Sequence, residues 1–204
     1  MTSLAELGLT AQGGREAQIT GLAVDSREVK PGFLFAALPG ARVHGGEFIQ
    51  YALRMKAAAI LTDTEGAAIA SAELAASDAV LIIAQDPRQA LAQTASLWSG
   101  PHPATVVAVT GTNGKTSIST FCRQIWEELG LAGVNLGTTG IEGAWTHPLK
   151  HTTPEPITLH RVMAEAAQHG VTHVAMEASS HGLDQRRLDG VILTAAGFSN
   201  FTQD

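Results

Sequence analysis

Apolar residues along the chain fall into short continuous runs and helical stripes, and their alternation predicts most of the elements. Residues 106–109, Val-Val-Ala-Val, are bounded by Thr110-Gly111, which suits a parallel strand covered on both faces. Ile118, Phe121, Cys122, Ile125, Trp126 and Leu129 then recur at helical spacing. They make one apolar helix stripe, with Gly130 where a C′ residue belongs. Read from the amino end, the pattern predicts a short helical lead from Ser3 to Gly8 and strands over 19–24, 33–38, 57–61 and 79–83. A helix opens at His44-Gly45-Gly46 and sets Phe48, Ile49, Ala52, Leu53 and Lys56 at helical spacing. Asp86 and Pro87 are the N-cap and first residue of the next helix, with Ala90, Leu91, Thr94, Leu97 and Trp98 on one face. Beyond residue 130 come a strand over 133–136, a Gly-Thr-Thr-Gly turn at 137–140 and a helix over 157–169. That helix turns Leu159, Val162, Met163, Ala166 and Ala167 inward, and strands over 171–176 and 191–198 follow.

The cluster Ser99-Gly-Pro-His-Pro103 is the strongest breaker in the sequence and reads as a domain boundary. It predicts a domain over 1–98, a linker over 99–103 and a second domain over 104–204. Strands alternating with helices make the fold class α/β: a small amino-terminal α/β domain, then a partial doubly wound, mainly parallel sheet.

Composition narrows the function classes. The 204 residues are 45% hydrophobic and 16% charged, a globular balance. A net charge of −6 argues against a general binder of nucleic acid or of membrane surfaces. The single cysteine, Cys122, lies on an apolar stripe, so it is expected as a small core residue in a reducing compartment. No apolar run approaches a membrane span, and no basic segment precedes an apolar one at the amino end. A cytoplasmic protein without membrane insertion is expected.

Ligands of open parallel sheets bind outside the carboxyl ends of strands, and three polar clusters fall at such ends. The first is Thr110-Gly-Thr-Asn-Gly-Lys-Thr116. A Gly-rich strand-to-helix turn aims successive backbone N–H groups and a helix N-terminus at one point, which suits an anion. Lys115 is placed for the β- and γ-phosphates of a nucleotide, and the Thr116 hydroxyl for Mg²⁺. The general pattern G-x-x-x-x-G-K-[ST] asks for Gly at 109, where this chain has Val109, so the loop is a shortened one. The second cluster is Glu177-Ala-Ser-Ser-His181, whose carboxylate is placed to hold Mg²⁺ on the γ-phosphate; the alternative is a buried glutamate paired with a neighbouring cation. The third is Ser199-Asn-Phe-Thr-Gln-Asp204, the last residues of the sequence.

Thr110-Gly111-Thr112-Asn113-Gly114-Lys115-Thr116 resembles the phosphate loop of the Mur ligase family, the ATP-dependent amide-forming enzymes of cell-wall synthesis. His151-Thr-Thr-Pro-Glu-Pro156, Met176-Glu-Ala-Ser-Ser-His-Gly-Leu-Asp-Gln-Arg-Arg187 and Asp25-Ser-Arg-Glu-Val-Lys-Pro-Gly-Phe-Leu-Phe35 extend the resemblance over residues 24–204. They are similar to the branch that adds the third residue to UDP-N-acetylmuramoyl-L-Ala-D-Glu, and the chain looks like the first two-fifths of such an enzyme. The resemblance implies ATP at 110–116 and catalytic roles for Lys115 and Glu177. It gives Mg²⁺ on Thr116 and Glu177, and an acyl phosphate attacked by an incoming amino acid. Val24 and Ser26 would touch the uridine, with 41–43 nearby, while Thr152, Thr153, Ser179, Gln185 and Arg187 would contact the muramoyl-peptide. The amino acid is diaminopimelate or lysine, with meso-diaminopimelate expected. The full-length enzyme is expected to be monomeric and residues 1–204 alone inactive. Two positions depart from the family pattern: His151 stands where Asn is common, and His44 where Asp is common. Two rivals remain. A folate polyglutamylating ligase shares the short loop, but Thr116 and the Ser26-Arg27…Pro31-Gly32 run argue against it. A nucleotide-binding module without turnover is separated only by phosphate release in the presence of the UDP-linked dipeptide.

Overall fold

The computed structural model describes residues 1–202. The chain divides into two compact units, Met1–Trp98 and Ser99–Asp204, taken in turn.

In the first unit, β1 (Thr2–Ser3) pairs antiparallel with β2 (Gln18–Ile19). No helix forms over 3–8. Ser3 and Glu6 cap each other reciprocally, but Gly8 turns to φ 71° and ends the turn with Leu4 and Leu7 buried. The strand expected over 19–24 is interrupted at Thr20, whose N–H leaves the ladder for Gly32 O. It resumes as β3 (Gly21–Ala23), parallel to β4 (Phe33–Ala36). The helix expected from His44 begins as a 3₁₀ turn over Gly45–Phe48, capped when His44 Nδ1 accepts from Gly46 N at 2.9 Å. It continues as α1 (Ile49–Arg54). After β5 (Ala59–Thr62) come two short helices that the apolar pattern does not announce, α2 (Thr64–Ile69) and α3 (Ser71–Ala75). β6 (Val80–Ile83) completes a parallel sheet ordered β3-β4-β5-β6. Its core gathers Phe35, Ile49, Ala52 and Ile60. α4 (Pro87–Ser99) is capped by Asp86 Oδ1 at Gln89 N, 3.0 Å. It buries Leu91, Ala92, Thr94 and Ala95 and leaves Leu97 exposed.

The second unit runs β7 (Thr105–Thr110), α5 (Lys115–Glu128), β8 (Gly133–Gly137), β9 (Gly140–Gly143), α6 (Pro156–Gln168), β10 (His173–Glu177), α7 (Ser180–Asp184) and β11 (Ala195–Phe198). The sheet order is β11-β7-β10-β8-β9, parallel throughout except for β9, which turns back on β8. The core joins Val106, Leu136, Val162, Met163, Val174 and Met176. α6 begins where both Glu155 carboxylate oxygens accept from Ile157 N and Thr158 N. Its buried His160 donates from Nε2 to Asp189 O at 3.0 Å, and its Nδ1 lies 3.2 Å from His102 Nε2, with the two rings stacked at 5.0 Å. Burial first, and His102 beside it, hold His160 down at about 4.

Two expectations are corrected here. The apolar stripe of α5 is not a core face: Phe121 and Ile125 are 58% exposed and Leu129 is 67% exposed, and Ser119 is the buried residue of the helix. Cys122 is accordingly half-buried. The helix meets the sheet through Ser119, Arg123 and one edge of the stripe, where Trp126 lies against Gly133 and His173, so spacing identified the stripe but not what covers it. The last strand spans 195–198 rather than 191–198, because only Ala195–Phe198 register against Val107–Thr110; its side chains are exposed.

Candidate functional site

In the first unit, the carboxyl ends of β3 and β4 open into a cleft of about 990 Å³. Val24, Asp25, Ser26 and Arg27 form one wall, and Phe48, Tyr51, Arg54 and Met55 the opposite one. Val43 and Gly45 also line it. A Cβ on Gly45 would lie 2.6 Å from Leu38 N, so glycine lets the loop close against the strand end. Arg27 grips Asp25 in a fork, Nε to Oδ1 at 2.9 Å and Nη2 to Oδ2 at 2.6 Å. Hydrogen bonds from the Arg27 side chain, then from its backbone, hold the Asp25 carboxyl at about 2. Phe48 and Tyr51 are 6.5 Å apart, and Arg54 Cζ lies 5.7 Å from the Tyr51 ring centre, within cation–π range. The cleft thus offers flat apolar surface, a serine hydroxyl and cationic side chains. Val24 and Ser26, singled out in the sequence, stand together on its wall.

In the second unit, the Thr110–Thr116 loop joins β7, which lies between β11 and β10, to α5. Gly111 and Gly114 take φ 130° and 85°, conformations that L side chains rarely adopt. A Cβ on Gly114 would meet only Ser199 Cβ, at 3.8 Å, so the mouth of the loop is open there. The first N–H groups of a helix have no intrahelical partner, and α5 presents its own at this mouth. Lys115 Nζ folds back on the loop, donating to Gly111 O at 2.5 Å and Thr112 O at 3.2 Å. The geometry fits an anion: a mouth left open by glycine, the first N–H groups of α5 and one ammonium.

Glu177 ends β10 next to β7 and is 1% exposed. Its Oε1 accepts from Thr116 Oγ1 at 3.0 Å and Thr138 N at 2.9 Å, and its Oε2 from Thr138 Oγ1 at 3.2 Å. Hydroxyls and an N–H, rather than a cation, are its partners in these contacts. A Cβ on Gly137 would lie 1.9 Å from Glu177 Oε1, so the carboxylate occupies space that only glycine leaves. The Thr116–Glu177 spacing matches that of neighbouring oxygens around an octahedral Mg²⁺ at 2.0–2.1 Å per ligand, about 2.9 Å. Among the described residues no three His, Cys, Asp or Glu side chains converge on a metal position. A cation here would complete its shell with phosphate oxygens and water, as Mg²⁺ ordinarily does.

The remaining site residues extend from this point. Thr138 Oγ1 lies 3.1 Å from Thr152 Oγ1. The buried Thr153 donates to Glu177 O at 3.1 Å and accepts from Ser179 N at 3.1 Å. Ser179 caps α7 through Gly182 N at 3.0 Å. Arg187 reaches Thr153 O at 2.7 Å and Gln185 Oε1 at 2.9 Å. Thr152, Thr153, Ser179, Gln185 and Arg187 therefore form one connected cluster running from Glu177. Sequence reasoning missed Gly137 and Thr138; their signal was the Gly-Thr-Thr-Gly turn at a strand end, which reads as a turn until β8 is seen beside β10.

Two family models match this chain, one over each unit: "Mur ligase family, catalytic domain" over residues 18–99 and "Mur ligase middle domain" over 109–204. The chain belongs to the Mur ligase family. Among curated relatives, the UDP-N-acetylmuramoyl-L-alanyl-D-glutamate–2,6-diaminopimelate ligase of Rhizobium meliloti (strain 1021) is 48% identical over 92% of this chain and 37% of its own. The ligase of that name from Agrobacterium fabrum is 45% identical over 98% of this chain and 39% of its own. The chain thus spans about two-fifths of the length of the curated relatives it matches. A solved ligase of the same description shares 30% identity and a TM-score of 0.79, covering all of this chain and 41% of that one. MurF from Acinetobacter baumannii shares the fold alone, at 16% identity and a TM-score of 0.60 over 97% of this chain and 39% of that one. No helix among the described residues is long and apolar enough to cross a membrane.

Proposed function

We propose that this chain carries the substrate-binding domain and the ATP-binding region of a peptidoglycan-precursor ligase. The reaction is the addition of meso-diaminopimelate to UDP-N-acetylmuramoyl-L-Ala-D-Glu in the cytoplasm. The observation that carries the reading is the 3.0 Å approach of Thr116 to Glu177 beside Lys115, in a chain 48% identical to a ligase named for that reaction. ATP, when bound, supplies the phosphoryl group that converts the substrate carboxylate into an acyl phosphate open to attack by an amine.

The chain's own residues do the positioning. The loop 110–116 cradles the phosphates, and Lys115 leaves its loop carbonyls to neutralise them. Thr116 and Glu177 hold Mg²⁺. Thr152, Thr153, Ser179, Gln185 and Arg187 orient the muramoyl-peptide, Arg187 offering a planar fork for carboxylate or phosphate. Val24 and Ser26 take the uridine in the first unit's cleft. Ligation needs both reacting groups held in line, and it is proposed for the whole protein; no amide product is expected from residues 1–204 alone. The test is therefore calorimetric titration of the chain with Mg²⁺-ATP and, separately, with UDP. Each should bind, and chelating Mg²⁺ should weaken ATP but not UDP. Absence of heat with Mg²⁺-ATP would sink the phosphate-loop reading.

A further inference from the structure

The third polar cluster has no role in the proposal above. Gln203 and Asp204 lie outside the described residues, but Ser199–Thr202 do not. β11 runs parallel to β7 with Phe198 opposite Thr110, so the residues after Phe198 emerge beside the phosphate loop. Asn200 Oδ1 accepts from Thr112 N at 3.0 Å and from Asn113 N at 3.2 Å, and its Nδ2 donates to Asn113 O at 3.0 Å. Ser199 Oγ lies 2.6 Å from Asn113 O and 3.1 Å from Thr110 O. Thr112 Oγ1 donates to Thr202 O at 2.7 Å. A Cβ on Gly111 would lie 2.2 Å from Ser199 Oγ, so the two segments interlock at closest approach.

A loop with two glycines at positive φ has many unbound conformations to lose on meeting a ligand. Here one side-chain amide holds the rising half of the loop with its acceptor and its donor together. A carboxylate lacks the donor and an aliphatic side chain lacks both. The bonds fall on Thr112 and Asn113, ahead of the α5 first turn, so that turn stays open to an anion. We infer that Asn200 is a positioning residue of the phosphate loop: its amide pins Thr112 and Asn113 so that Gly114, Lys115 and Thr116 meet nucleotide phosphates already arranged.

This rests on the nucleotide reading, and the experiment separates the two. The full 204-residue chain and its Asn200→Ala variant are titrated with Mg²⁺-ATP and with UDP, and amide exchange is followed by NMR. The variant should bind ATP about tenfold more weakly, a net loss of one or two hydrogen bonds. Its UDP affinity should match the parent, and exchange should accelerate at Thr112 and Asn113 but not along β10. Equal ATP affinity in parent and variant, or loss of ATP and UDP binding together, would overturn the inference and leave the nucleotide reading intact. No ATP binding by the parent would overturn both. Should the alanine variant fail to fold, Asn200→Asp keeps the acceptor and adds a negative charge; it too should lose ATP affinity at least tenfold, and unchanged affinity would count against the role.

Discussion

The two candidate sites are built in opposite ways. The cleft of the first unit is a void between elements: strand ends on one side, α1 on the other, and about 990 Å³ between them. The phosphate loop of the second unit is instead a stretch of backbone between a strand end and a helix start, open at Gly114. Its donors are backbone N–H groups and the Lys115 ammonium, and side chains from distant positions, Asn200 and Glu177, hold its surroundings. A void binds by shape and flat apolar surface, so it tolerates side-chain change around its wall. A backbone cradle binds by the direction of N–H groups, so it depends on whatever fixes the backbone.

That contrast can be broken or sharpened by experiment. The largest expected effect is on stability and belongs to the second unit. His160 is held near 4 by burial, below the ordinary imidazole value of about 6.5. As pH falls, the unfolded chain takes up a proton at this position first, so the His160 contribution to stability is constant above about 6.5, declines toward 4 and is fully lost below. The loss amounts to about 3 kcal/mol at most. Urea unfolding followed through amides of β10 should show this slope, and His160→Gln should flatten it. An unaltered slope in that variant would assign the acid sensitivity elsewhere.

Next, Lys115→Ala should weaken Mg²⁺-ATP by about 100-fold, the upper range for one charged hydrogen-bonding group, while UDP affinity and melting temperature stay put. Parallel losses of both ligands would erase the distinction between the regions. Glu177→Gln should raise the Mg²⁺ concentration needed for ATP binding by about tenfold, with little change for UDP. If the variant instead unfolds with its metal response unaltered, Glu177 is a structural anchor of Thr116 and Thr138 only. The smallest effect is expected in the void: Ser26→Ala should weaken UDP about threefold to fivefold, one neutral hydrogen bond's worth. NMR shifts from UDP should appear at Val24 and Ser26; their absence would remove uridine from this cleft.

The same contrast governs what was legible in the sequence. The phosphate loop is written in consecutive residues, because one strand, one turn and one helix start make it. Its bracing is not. Gly137 and Asn200 reach the loop and its carboxylate through strand register, β8 beside β10 and β11 beside β7, and no spacing along the chain reports register. The cleft was half legible: Val24 and Ser26 end a recognisable strand, while Tyr51 and Arg54 look like ordinary helix surface until α1 is placed opposite. Periodicity found the α5 stripe but assigned it to a core, since a 3.6-residue period says that a face is apolar and not what lies against it.

That stripe has a practical consequence. Ile118, Phe121, Ile125 and Leu129 form an apolar surface on a helix that is folded and docked, and dyes such as ANS bind surfaces of this kind. Residues 1–204 on their own should therefore fluoresce with the dye at room temperature, before any heating. A thermal-shift trace would start high and fall, and an ANS signal read alone would be mistaken for a molten globule. Near-ultraviolet circular dichroism, which reports fixed aromatic packing, will separate the two.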